Sequence, residues 1–209
     1  MFPFPFSFLG AAADVPLELI DNNFAMEFDG TDEYVLAPTS SGLEITGNIT
    51  ISAWIKTNIG SSFQKIINKR DAGGTNYDFY LDNSATPKLR FYDGSTASSS
   101  TGTITLSSWN HVAISINSGT ATFYINGAAS GTQSFSITSN DAPLYIGKYY
   151  SGEFFAGDID EVAIWNQALA LENVQTIYNA TNNNPGKCAN LFTGGLKNGL
   201  QYWNRMGDN

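Results

Sequence analysis

The chain has 209 residues, and its 14 Phe, 10 Tyr and 4 Trp are enough to build one substantial hydrophobic core. Ten basic residues against 19 acidic residues give a net charge of −9. This balance argues against a nucleic-acid partner or an anionic membrane surface, since both require clustered Lys and Arg. The single cysteine, Cys188, and the single histidine, His111, exclude an intramolecular disulfide, a Cys-rich zinc site and a multi-histidine metal centre.

Residues 1–23 are predicted to form an extended, hydrophobic N-terminal arm. Pro3 and Pro5 disfavour a regular helix there, and the apolar stretch is too short to cross a bilayer. A signal peptide cleaved after Ala13 is the alternative, although no basic region precedes the apolar residues. Four alternating aromatic side chains are predicted to anchor the arm on another subunit: Phe2, Phe4, Phe6 and Phe8. No membrane span is predicted.

From residue 24 onward, apolar and polar residues mostly alternate, and turn residues interrupt the pattern at intervals of about ten positions, as in a sandwich or barrel. Asn126-Gly127 is typical of a tight hairpin turn. The Ser/Thr/Gly-rich stretch 95–103 is predicted to be a surface loop. The predicted strands, in chain order, are 24–28, 34–36, 49–56, 65–68, 77–81, 88–92, 109–117, 120–125, 144–147 and 153–165.

One helix is predicted after these strands, because five apolar residues recur at helical spacing. They are Leu169, Leu171, Val174, Ile177 and Tyr178. Glu172 would lie in the first turn, where the helix dipole favours a negative charge. Residues 182–186, with Pro185 and Gly186, end the helix. We therefore assign residues 24–180 to one domain and predict that 181–209 is a loop-rich extension packing on the domain or on a neighbour.

Several segments, in this order, resemble the laminin G-like, concanavalin A-like jelly-roll superfamily. They are Phe28-Asp29-Gly30, Ile49 to Ile55, Trp109 to Ala113, Phe123 to Gly127, Gly157 to Asn166 and Leu169 to Glu172. The resemblance covers about residues 24–180. It implies an all-β fold of two packed antiparallel sheets with one short C-terminal helix. It also implies glycan binding or adhesion, often with a structural calcium ion, and implies no reaction.

The segment Trp203-Asn204-Arg205-Met206-Gly207-Asp208 is similar to a segment that follows such domains in structural proteins of marine tailed bacteriophages. This resemblance implies a non-enzymatic virion protein: a capsid decoration, head fibre or tail appendage assembled in the host cytoplasm. Its partners would be other virion proteins or further copies of itself, bound through the arm, and host-surface glycans. The alternative is a secreted bacterial carbohydrate-binding or adhesion module, extracellular or at the cell surface.

Asp158, Asp160 and Glu161 are the carboxylates that raise the alternative of a glycoside hydrolase. Related sandwich glucanases carry acidic residues at alternate positions of one strand, which places them on one face. Here the third alternate position is Val162, and simple alternation places Glu161 on the opposite face. His111 lacks the partners of a Ser-His-Asp arrangement and is predicted to be a half-buried structural residue. The sequence therefore predicts no catalytic residue.

Two kinds of binding site are predicted. By resemblance, the turn at Asp29 and the strand carrying Asp160 lie close together, so these two carboxylates are the first candidates for calcium ligands, with Asp158 and Asp32 as further ones. Exposed aromatic rings beside polar residues are typical of glycan binding. The residues that fit this description are Tyr149, Tyr150, Glu153, Tyr92 and Asp93.

Overall fold

A computed structural model describes residues 17–208. The predicted anchoring residues Phe2, Phe4, Phe6 and Phe8 lie outside the described residues. Within them, one α-helix is present, α1 (Leu171–Asn182), with 3-10 turns at Ser41–Leu43 and Gly194–Lys197. The strands are β1 (Leu19–Asp21), β2 (Met26–Asp29), β3 (Val35–Ala37), β4 (Ile49–Lys56), β5 (Gln64–Asp71), β6 (Gly74–Leu81), β7 (Leu89–Tyr92), β8 (Ala97–Ser99), β9 (Asn110–Asn117), β10 (Thr120–Ile125), β11 (Ala128–Ser134), β12 (Leu144–Ile146), β13 (Lys148–Tyr149), β14 (Gly152–Phe154), β15 (Ala156–Trp165), β16 (Lys187–Ala189) and β17 (Leu200–Asn204).

Two large antiparallel sheets form the body of the protein. The seven-stranded sheet has the order β11-β10-β9-β4-β15-β17, and β2 also pairs with β15. The six-stranded sheet has the order β3-β12-β5-β6-β7-β8. Two-stranded sheets join β1 to β16 and β13 to β14. The predicted all-β, two-sheet antiparallel sandwich with one short helix is confirmed.

The main core lies between the two large sheets and follows from the alternation in the sequence. On β4, Ile49, Ile51, Ala53 and Ile55 point inward and are fully buried. The opposing sheet contributes large apolar side chains at alternate positions of β6 and β7: Tyr77, Phe79, Leu81, Leu89 and Phe91. The side chains at the intervening positions therefore point to the outer faces of the sandwich.

A second, smaller core covers the outer face of the seven-stranded sheet. Helix α1 packs there through Val174, Ile177 and Ala180. Trp165, which is fully buried, donates its Nε1 hydrogen to the carbonyl oxygen of Leu196 at 2.7 Å. The chain after the helix is thus fastened to the sheet.

The C-terminal chain is more regular than the sequence predicts. Residues 181–209 are predicted to be loop-rich, whereas β16 pairs with β1, and β17 pairs with β15 in the seven-stranded sheet. Residues 97–99 of the expected surface loop form the edge strand β8. Short strands with mixed polar sequences lack a clear alternating pattern, so their pairing depends on the neighbouring strand.

A β-bulge in β15 determines how its carboxylates are arranged. Opposite β4, Asp160 pairs with Trp54 and Ala163 pairs with Ser52, so β15 carries one extra residue. Glu161 adopts a positive φ of 50° within this bulge. Because the extra residue interrupts the alternation, Val162 points into the main core while Glu161 contacts groups on the outer face.

Candidate functional site

A cleft of about 320 Å³ lies on the outer face of the six-stranded sheet. We call it the tyrosine cleft. Its walls combine aromatic rings with both signs of charge, and its principal residues are Lys65, Arg70, Asp78, Tyr80, Tyr92, Tyr149 and Glu153. The strands β5, β6 and β7 supply the first five, at positions that alternate with or flank core residues.

The hairpin of β13 and β14 closes one side of the tyrosine cleft. It brings Tyr149 and Glu153 over β5. The backbone N–H of Tyr150 donates a hydrogen bond to Oδ1 of the buried Asn68 at 3.2 Å, which fastens the hairpin to the sheet. Glu153, the middle residue of β14, has a positive φ of 55° at a bulge, because Tyr149 pairs with Gly152 and Lys148 with Phe154.

Lys65 is the central charged group of the tyrosine cleft. Its Nζ lies 2.9 Å from Asp78 Oδ2 and 3.3 Å from Glu153 Oε2. The same ammonium lies 3.7 Å from the centre of the Tyr80 ring and 4.8 Å from that of Tyr149. Burial raises the pKa of the Asp78 carboxyl, and the charge of Lys65 opposes that rise.

Arg70 supplies a second cation, and this one has no ion-pair partner within residues 17–208. Its guanidinium carbon lies 5.3 Å from the ring centre of Tyr149, 5.6 Å from that of Tyr150 and 5.9 Å from that of Tyr92. Arg70 Nε is buried and has no hydrogen-bond partner in the described part of the chain. The cleft therefore offers flat apolar surfaces next to a hydrogen-bond donor.

Four of the five predicted glycan-binding residues come together here. Tyr92, Tyr149 and Glu153 line the cleft, and Tyr150 packs edge-on against Tyr149 with ring centres 4.8 Å apart. Lys65, Arg70, Asp78 and Tyr80 were not predicted. Their outward positions on strands could have indicated a shared face, but the pairing that makes them neighbours is not visible in the sequence.

Asp93 does not join the cleft, which corrects the prediction for this residue. Its carboxylate is buried and accepts hydrogen bonds from the backbone N–H groups of Ser95, Thr96 and Ser136 at 2.6–2.9 Å. Burial acts to raise the pKa of Asp93, but these hydrogen bonds outweigh it and lower the pKa. Asp93 thus stabilises a turn.

The three carboxylates of β15 have separate partners. Asp158 Oδ2 lies 3.2 Å from Lys56 Nζ, and Asp160 Oδ2 accepts a hydrogen bond from Asn22 at 2.9 Å. Glu161 accepts one from the indole Nε1 of Trp203 at 2.7 Å and lies 3.3 Å from Arg205 Nε.

The prediction that Glu161 lies on the face opposite Asp160 is wrong, because the bulge turns Glu161 toward the outer side. Burial is the main cause that raises the pKa of Asp160 to about 6 and that of Glu161 to about 7. For Glu161, the nearby Asp160 charge adds to the rise.

Of the carboxylates predicted to share a calcium ion, the two first candidates, Asp29 and Asp160, do not converge. Asp29 is opposite Ala156 on β15, four residues along the strand from Asp160. Asp158 is already paired with Lys56. Instead, carboxylate oxygens of Asp29, Asp32 and Glu33 lie within 4.8 Å of one another at the surface, and we call these residues the acidic turn.

His111 is fully buried, not half-buried as predicted. Its Nε2 lies 2.8 Å from Ser52 Oγ, and its Nδ1 has no partner among residues 17–208. The rings of Trp54 and Tyr178 lie 5.3 and 6.1 Å from it. Burial lowers the pKa of His111 to about 3, so the ring is neutral at physiological pH.

The family model of the concanavalin A-like lectin/glucanases superfamily, of the laminin G type, matches residues 29–175. No curated protein matches the chain.

Solved structures with similar folds include a Bacteroides ovatus protein described as a candidate carbohydrate-binding protein. It is 17% identical, with a TM-score of 0.67 over 90% of this chain and 53% of its own, so this chain spans about half its length. Domain 4 of an extracellular arabinanase from Geobacillus stearothermophilus, solved with arabinotriose, is 21% identical, with a TM-score of 0.56 over 77% of this chain and 86% of its own. A Trypanosoma rangeli sialidase is 13% identical, with a TM-score of 0.60 over 78% of this chain and 28% of its own.

Within the described residues, the helix is too short to cross a membrane.

Proposed function

Because the chain belongs to the concanavalin A-like lectin/glucanase superfamily, we propose that it binds carbohydrate in the tyrosine cleft and catalyses no reaction there. The observation that carries this proposal is the group of tyrosine rings around Arg70, beside the carboxylate of Glu153. Two neighbours in fold support the ligand class: the candidate carbohydrate-binding protein and the arabinanase domain solved with arabinotriose.

The cleft matches the two chemical faces of a sugar. The C–H face of a pyranose or furanose ring is apolar and packs on an aromatic ring such as Tyr149 or Tyr92. Sugar hydroxyls both donate and accept hydrogen bonds. They can accept from Arg70, and they can donate to Glu153, whose side chain is 44% exposed.

The charge arrangement supports binding without hydrolysis. Glycosidases use two carboxylates that flank the scissile bond, one of them free to give up a proton. In the tyrosine cleft the two carboxylates, Asp78 and Glu153, both contact the ammonium of Lys65. That cation occupies the space between them, where a scissile bond and a water molecule would have to fit.

The test is binding of the full chain to a glycan array, followed by calorimetry with arabinotriose and with the best ligand found. Tyr149→Ala should weaken binding by about tenfold, because the stacking surface is lost. Tyr149→Phe should bind nearly as the parent does. Phe192→Ala, which removes a 67% exposed aromatic ring outside the cleft, is the matched control and should not change affinity. Binding that is unaffected by Tyr149→Ala would remove the tyrosine cleft as the site.

A role in a virion is a second proposal, and the similarity of residues 203–208 to segments of phage structural proteins supports it. Within this chain, that segment also contacts the rest of the domain. Trp203 donates a hydrogen bond to Glu161, and Arg205 forms an ion pair with the same carboxylate. Asp208 accepts hydrogen bonds from the backbone N–H groups of Asn23 and Phe24. Mass spectrometry of purified particles should detect the chain at a fixed copy number. If it is found only in the soluble or cell-surface fraction, the alternative of a bacterial carbohydrate-binding module holds.

A structural calcium ion is a third proposal, placed at the acidic turn. Three carboxylates that converge within 4.8 Å are the donor type that a hard cation prefers. Calcium addition should raise the melting temperature of the wild-type protein, since an ion that binds only the folded state stabilises it. Asp29→Asn should abolish that rise, while Asp158→Asn should keep it. No response of the wild-type protein to calcium or to chelator would refute the site.

A further inference from the structure

A second cleft, of about 410 Å³, lies on the opposite side of the sandwich from the tyrosine cleft. We call it the tryptophan cleft. It opens on the outer face of the seven-stranded sheet, beside the C-terminal end of α1. The residues that matter for its chemistry are Asn22, Phe24, Trp54, Trp109, Asp160 and Thr181.

Aromatic side chains form much of its apolar surface. Trp109 is 40% exposed and Phe24 is 64% exposed, although both are large apolar residues. Trp54 lies deeper and is 7% exposed, because Tyr178 stacks on it with ring centres 5.8 Å apart and an angle of 21°. Exposed rings around a concave surface are typical of a binding site.

Three polar atoms of the residues lining this cleft are buried and have no hydrogen-bond partner within residues 17–208. They are Trp54 Nε1, Asn22 Oδ1 and Thr181 Oγ1. The first is a donor, the second an acceptor, and the hydroxyl is both. A buried polar group without a partner is unfavourable, so a ligand that offers donors and acceptors together would be stabilised here.

The charge of the residues that line the tryptophan cleft restricts which class of ligand can bind there. Among residues 17–208, Asp160 is the one charged residue that lines it, and no Lys or Arg does. An anionic ligand would be repelled. Each oxygen of the Asp160 carboxylate already accepts a hydrogen bond, Oδ2 from Asn22 at 2.9 Å and Oδ1 from the backbone N–H of Glu161 at 2.7 Å. The groups left to recognise a ligand are therefore the uncharged atoms without partners, which suit a neutral ligand better than a cation.

From these observations we propose that the tryptophan cleft is a second binding site, for a neutral polyhydroxylated ligand such as an uncharged sugar ring. The ring would pack on Trp109, and its hydroxyl groups would reach Trp54 and Asn22. The chain would then hold carbohydrate on both faces of the sandwich. This site is independent of the tyrosine cleft, so either proposal can fail without the other.

Tryptophan indole N–H signals in a ¹⁵N correlation spectrum of the full chain provide the test. The chain has four tryptophans. The indole N–H groups of Trp165 and Trp203 each donate a hydrogen bond of 2.7 Å, so their signals serve as internal references. Arabinotriose, maltotriose and galactose are the neutral probes, glucuronic acid is the anionic probe, and propylamine is the cationic probe.

We expect at least one neutral probe to shift the signals of Trp54 and Trp109 while those of Trp165 and Trp203 stay in place. Trp109→Ala should weaken this binding by about tenfold, and Tyr149→Ala should leave it unchanged. Because Trp54→Phe could disturb folding, the surface variant Trp109→Ala is the primary test. The proposal is overturned if no neutral probe shifts Trp54 and Trp109, or if only propylamine or glucuronic acid does so.

Discussion

The single histidine allows one pH effect to be isolated. His111 is fully buried with Trp54 and Tyr178 around it, and burial lowers its pKa from 6.5 to about 3. In the unfolded chain the same ring takes up a proton below about pH 6.5. The unfolded state therefore binds more protons than the folded state between pH 3 and 6.5, and the stability contributed by the neutral ring is lost as the pH falls.

The size of the effect follows from these two values. Above pH 6.5 the contribution is fully present. Each further pH unit toward 3 removes about 1.4 kcal/mol of unfolding free energy, so about 3 kcal/mol is lost by pH 4.5. That is a large fraction of the total stability of a domain, which is about 5–15 kcal/mol.

The assay compares the wild-type protein with His111→Gln by urea denaturation at several pH values from 7.5 to 4.5. Other titrating groups are common to both proteins, so their contributions largely cancel in the difference. His111→Gln should be less stable at pH 7.5, because the packing and the contact with Ser52 change. That difference should shrink by about 3 kcal/mol toward pH 4.5.

Two results would contradict the reasoning. The first is a difference between the two proteins that stays constant with pH. The second is an NMR titration of the folded protein in which the ring of His111 takes up a proton near pH 6.5. Either result would mean that water reaches the ring.

Three further substitutions test the charge and packing arguments. Burial raises the pKa of Glu161 from 4.5 to about 7, so between these pH values the folded state keeps a proton that the unfolded state releases. The stability that this proton contributes is lost as the pH rises from 4.5 through 7. Relative to Glu161→Gln, the wild-type protein should therefore lose about 3 kcal/mol of unfolding free energy between pH 4.5 and 8 in urea denaturation. Lys65→Met should lower the unfolding free energy by about 3–5 kcal/mol, because Asp78 stays buried without its cation. Adding Asp78→Asn should restore part of this loss. Equal stability of the single and double variants would argue against the importance of this ion pair. Gly157→Ala should lower the melting temperature far more than Gly47→Ala. A Cβ at position 157 would lie 2.1 Å from the carbonyl oxygen of Lys56, whereas a Cβ at position 47 would meet nothing within 4 Å. Similar melting temperatures of the two variants would refute this close approach.

The sequence alone determined most of the fold. On β4 the residues that face the main core alternate, and the predicted strand, 49–56, has the same bounds in the structure. The turn Asn126-Gly127 joins β10 to β11 as its composition indicates, since both residues have positive φ. Alternation and turn chemistry are local properties, so they can be read without knowing which strands are neighbours.

Part of the tyrosine cleft was also visible in the sequence. Tyr149, Tyr150 and Glu153 lie within a few residues of one another, and such a cluster needs no tertiary information to be noticed. Lys65 and Arg70 belong to another strand, and they meet the cluster only because β13 lies over β5. The register that brings residues about 80 positions apart together depends on the packing of the whole sheet.

The tertiary structure alone decided the rest. The bulge at Glu161 reverses the face that simple alternation assigns to this carboxylate, because one extra residue changes which way every later side chain points. The tryptophan cleft combines a strand residue, Trp54, with Trp109, the end of the helix and the segment at Asn22. No sequence pattern links these positions, since burial and hydrogen-bond partners are properties of the packed molecule. The sequence therefore determined the sandwich, and packing decided where polar groups are left free to bind.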